Sequence, residues 1–135
     1  MKITINEKEY SIKFGYKATV KSGIIKKMAQ AEAEEDGLES IEKILLVIPE
    51  MLVVGLQVHH ADEFGYNLDT NEGYDEKVDK AFDLIEKWLE NKDNNVLDLY
   101  GELNNELVGD SFLSSLFQRE KAEEQKKNAK TTKKN

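Results

Sequence analysis

The only two histidines, His59 and His60, are adjacent, and the carboxylates Asp62 and Glu63 follow at once. On a continuous helix His59 and Glu63 would stand four residues apart and share a face, a spacing used by metal ligands. His59 and His60 would, however, point about 100° apart on that helix. No second histidine is left to complete a set. The pair therefore reads as polar residues at a helix end. The segment 67–73, Asn-Leu-Asp-Thr-Asn-Glu-Gly, places oxygen donors at alternate positions like the start of a calcium loop. Its glycine comes one place late, and the twelfth position from Asn67 is Val78 where a bidentate glutamate is needed. A turn-rich surface loop is the better account.

Other chemistry is excluded by composition. With no cysteine among 135 residues there is no disulfide, thiolate zinc site or thiol nucleophile. No glycine-rich phosphate loop, nucleophile elbow or zinc-protease motif occurs. The 27 acidic side chains are too many for any pair of them to be diagnostic. The expectation is a protein without catalytic residues, metal or cofactor.

The elements that surround these residues follow from periodicity. Ile3 and Ile5, then Tyr10, Ile12 and Phe14, alternate with polar neighbours around the run Asn6-Glu7-Lys8-Glu9, which predicts a β-hairpin. An isolated hairpin is marginal in water, so its apolar face must pack on something else. From Thr19 the period changes, and Val20, Ile24, Met28 and Ala31 predict a helix that ends before Asp36-Gly37. A second helix starts near Leu38 or Glu39, with Ile41, Ile44, Leu45, Ile48, Leu52 and Val58 as its buried side. Pro49 either kinks it or opens a separate helix. Residues 62–73 read as a loop. Val78, Ala81, Phe82, Ile85, Trp88 and Leu89 mark the clearest amphipathic helix, starting at Asp75. Asn94 or Asn95 caps the next, with Val96, Leu99, Tyr100, Leu103 and Leu107 as its stripe and Gly109 as its stop. Asp110 or Ser111 caps a last helix bearing Phe112, Leu113, Leu116 and Phe117.

These patterns predict an α+β domain over residues 1–117: a hairpin packed on a bundle of four to five helices. Residues 118–135 contain seven basic and three acidic side chains and no large apolar residue, and are expected to form a mobile or frayed helical tail. The preceding 117 residues hold twelve basic and twenty-four acidic side chains. An acidic body argues against nucleic acid as a partner. The most apolar window, residues 41–58, is broken by Glu42, Lys43, Pro49, Glu50 and Gln57, so no membrane span is expected. Nor does the N-terminus have the pattern of a signal peptide. The candidate partner-binding residues are Phe112, Leu113, Leu116 and Phe117, should the last helix lend its apolar face to another chain, and Arg119, Lys121, Lys126 and Lys127 on the basic arm.

The opening residues 1–18, with a hairpin closing on Phe14-Gly15-Tyr16, followed by acidic helices and a Lys-rich end, resemble the tail assembly chaperones of long-tailed bacteriophages of Gram-positive hosts. The likeness spans residues 2–117 in element order, and only the hairpin segment is motif-like. Pro49 has no clear place in that pattern. The resemblance implies a non-enzymatic protein of the host cytoplasm, not retained in the virion, with no catalytic residue to carry across. Such a protein binds the tape measure protein, keeps it soluble and helps recruit tail tube protein, with self-association expected. The resemblance also implies that a C-terminally extended form arises by frameshifting, for which Lys133-Lys134-Asn135 or Lys126-Lys127-Asn128 are compatible places. The competing reading is a generic helical interaction module, such as an antitoxin or a regulatory adaptor of a mobile element.

Overall fold

A computed structural model describes residues 1–33 and 37–116. The expected tail, and with it the domain boundary at residue 117, lies outside the described residues. The architecture is α+β and mostly helical, with an N-terminal two-stranded hairpin.

Strands β1 (Lys2–Ile5) and β2 (Lys8–Ser11) pair antiparallel with Ile3 opposite Tyr10 and Ile5 opposite Lys8. The connection is only Asn6-Glu7, both at positive φ (50° and 67°), the two-residue geometry whose twist matches that of the strands. Lys8 and Glu9 therefore belong to β2 and not to the turn. Ile3, Ile5 and Tyr10 are buried on one face, and Ile12 and Phe14 continue that face beyond the strand. Lys13 N–H donates to the Gly55 carbonyl at 2.9 Å, fixing the hairpin's exit to the end of the central helix.

The helix expected over residues 19–35 is two helices, α1 (Tyr16–Ser22) and α2 (Ile24–Glu32). Gly23, at φ 70°, ends the first and starts the second, in a conformation that other residues adopt only at a cost. The break changes the phase of the buried face. Ile24, Met28 and Ala31 are buried as the periodicity predicts, but Val20 is turned outward and Thr19 takes the interior position.

The central helix α3 (Gly37–Gly55) runs unbroken through Pro49, so Pro49 does not begin a second helix. Its two halves differ. Ile48, Met51, Leu52, Val53 and Val54 are buried all round the circumference, each contributing about 1–3 kcal/mol by leaving water. Ile41, Leu45 and Leu46 are exposed, and Val58 lies beyond the helix end and is exposed as well. The expected burial of Ile41, Leu45 and Val58 is thus corrected. Ile41 and Leu45 lie in phase with the interior, but no element among the described residues covers them.

The segment read as a loop from residue 62 begins with a single helical turn, α4 (Ala61–Phe64), whose Phe64 is fully buried. Helix α5 (Tyr74–Trp88) buries Ala81 and Ile85, while Phe82 and Leu89, expected in its apolar stripe, are exposed. Helix α6 (Val96–Gly109) starts at Asn95, whose side-chain oxygen accepts from the N–H groups of Leu97 and Asp98 at 2.8 and 3.3 Å. Leu99, Leu103 and Leu107 form its buried stripe. Gly109 is its last helical residue. Among the described residues no helix is long and apolar enough to cross a membrane.

Candidate partner-binding groove

Helices α2 and α6 both pack on α3. Between them lies an apolar groove of about 360 Å³. Its floor is Met28 and Leu107, and Ile25, Ala29 and Val108 form its walls. Tyr100, near the start of α6, donates its hydroxyl to Glu32 Oε1 at the end of α2, so the two helices run antiparallel across the groove. Burial, and then the Glu32 carboxylate, push the Tyr100 hydroxyl well above the ordinary tyrosine range.

Leu113 also lines the groove. It is placed there by a turn in which Ser111 Oγ accepts from Leu113 N–H at 3.1 Å and donates to the Leu107 carbonyl. Phe112 packs edge-on against Tyr16 with ring centroids 5.1 Å apart. Of the residues proposed from sequence, Phe112 and Leu113 are therefore packed against the body and Leu116 is exposed. Phe117, Arg119, Lys121, Lys126 and Lys127 lie outside the described residues.

Sequence reasoning missed the groove itself. Ile25, Met28 and Ala29 carry a visible helical period, but only the separation of α2 from α6, some eighty residues away in sequence, turns that face into a concave surface. Comparison with known protein families, with characterised proteins and with solved structures finds no match. The function must therefore be argued from this geometry.

The histidine and acidic residues are dispersed. His60 Nε2 accepts from Ser11 N–H at 2.9 Å, and its ring lies 5.2 Å from that of Tyr10, so it anchors the hairpin instead of fraying at a helix end. Glu63 pairs with Lys8 and lies 3.9 Å from Lys80. His59 lines a separate cleft beside Ser11, Glu106 and Asp110, which Glu63 does not reach. In the loop, the Asn67 side chain accepts from the N–H groups of Asp69 and Thr70, and Asp69 pairs with Lys21. Those oxygens are spent on shaping the turn. No group of three His, Asp or Glu side chains converges as a metal site among the described residues.

One further polar cluster lies away from the groove. Lys27 Nζ sits 2.8 Å from Glu50 Oε1 and 3.2 Å from the Tyr74 hydroxyl, which itself donates to Glu50 at 2.6 Å. It ties α2, α3 and α5 together. Burial first, and Glu50 second, raise the Tyr74 hydroxyl far above its ordinary value. The arrangement holds the three helices together.

Proposed function

We propose that this protein is a non-catalytic tail assembly chaperone of a long-tailed bacteriophage or prophage. In this reading it works in the host cytoplasm, binds the long helical tape measure protein, keeps it soluble and helps recruit tail tube subunits. It self-associates along that client and is not carried into the virion. The observation that supports the reading is the apolar groove between α2 and α6, open to solvent and of a size for two or three aliphatic side chains of a client helix. The uncovered apolar residues of α3 supply further contact area on the same small domain. A strong net negative charge favours solubility while such surfaces stay exposed.

The deciding experiment is co-expression of the tagged protein with its flanking genes, followed by purification and mass spectrometry. Recovery of a long helical product of a neighbouring gene, lost when Ala29→Trp fills the groove, is the expected result. If that product is expressed yet stays insoluble and never co-purifies, the chaperone reading falls. The generic interaction module then replaces it.

A further inference from the structure

Among the described residues that line the groove, Glu32 is the one charged side chain. The rest of the lining is apolar apart from Asn104. Glu32 is exposed on α2 and, among the described residues, receives one hydrogen bond, from Tyr100. A carboxylate has room for about four acceptor contacts, so this bond leaves most of its capacity open. Tyr100 directs the carboxylate to the end of the groove. Apolar walls beside a positioned anion match one class of occupant. From this we infer that the groove selects a cationic amphipathic helix, whose aliphatic residues one turn apart enter between α2 and α6 while a Lys or Arg at its edge pairs with Glu32. Glu32 is then a specificity-determining residue, and the inference rests on the groove being the client site proposed above.

The acidic character of the body favours the same choice at longer range. Residues 1–117 carry twice as many acidic as basic side chains, so an acidic helix is repelled before it reaches the groove and a basic one is drawn in. The chain's own basic segment, residues 118–135, has charge of the right sign but no large apolar residue to fill the cavity. A separate chain is the occupant.

The test uses the full-length protein and two fluorescein-labelled synthetic helical peptides. They share one Leu stripe and differ only in having Lys or Glu on the polar face, and binding is read by anisotropy across a salt series. The Lys peptide is expected to bind and the Glu peptide to bind far less. Glu32→Gln is expected to weaken the Lys peptide by roughly threefold to fivefold, the scale of one exposed ion pair, and to flatten its salt dependence. Ala29→Trp, at an exposed position, is expected to abolish binding while leaving the circular dichroism spectrum and melting transition intact. Equal binding of the two peptides, both still blocked by Ala29→Trp, would overturn the charge selection and leave the groove as a client site. Failure of both peptides to bind, or binding untouched by Ala29→Trp, would overturn the groove as a client site and the selection with it.

Discussion

The two halves of α3 both carry apolar side chains, five in residues 37–46 and six in residues 47–55, and meet opposite fates. In residues 47–55 nearly every side chain is buried by the hairpin, α2, α5 and α6, and Ile12 and Phe14 close over Gly55. In residues 37–46 the same helical phase continues through Ile41 and Leu45, but among the described residues the cover lies on the α2 side, where Ser40 Oγ donates to the Ala31 carbonyl at 3.4 Å. One continuous helix thus serves as core at one end and as surface at the other. What differs is the reach of the described neighbours and the local charge, three charged side chains in the first half against one in the second.

The sharpest way to break this contrast is truncation at matched positions. Leu52→Ala is expected to destabilise the protein by about 2–5 kcal/mol, the cost of a cavity in a fully packed site. Leu45→Ala is expected to cost less than about 1 kcal/mol. Urea unfolding monitored by circular dichroism compares the two, and equal losses would mean that the first half is as well covered as the second. Next in size is the pair of end glycines. A Cβ at Gly55 would lie 2.6 Å from Ile12 Cγ2, so Gly55→Ala is expected to destabilise by about 1–3 kcal/mol through overpacking.

A smaller effect tests how Glu50, in the covered half, is used. Tyr74→Phe removes a donor to that carboxylate and is expected to cost about 1–2 kcal/mol at neutral pH. Because the folded state raises the Tyr74 value, it keeps a proton that the unfolded chain releases above roughly pH 10. The stabilisation is therefore complete below that pH and declines as the pH rises further. Stability measured from pH 8 to pH 11 should converge for the two proteins at the alkaline end. Smallest is Gly37→Ala at the exposed end: the added Cβ meets nothing within 4 Å, and a gain of about 0.5–1 kcal/mol is expected from the lower entropy of the unfolded chain.

These contrasts also mark what the sequence made legible. Alternation at Ile3, Ile5 and Tyr10 specified the hairpin, the period from Val78 to Ile85 specified α5, and Asn95 specified the start of α6, because each signal is local. The break at Gly23 was missed because the apolar period from Val20 to Ile24 is four residues and hides a change of backbone direction. Phe64 was overlooked because its single turn is too short to show a period. Ile41 and Leu45 were assigned to the core because periodicity identifies an apolar face and says nothing of whether another element reaches it. For the same reason Leu113 was named as a contact residue, while Ile25, Ala29 and Val108, which shape the groove with it, were not.

Pro49 stands near the point where the covered and uncovered halves of α3 meet, and it has no amide hydrogen to give to the Leu45 carbonyl. The ladder of bonds along the helix is one rung short there. Opening of the first half then need not propagate into the second, and amide hydrogen exchange of the two halves is expected to separate into a fast and a slow class, only the slow one following global unfolding. A client that covers Ile41 and Leu45 would slow the fast class alone, giving a readout of occupancy in a segment whose loosening leaves the core undisturbed.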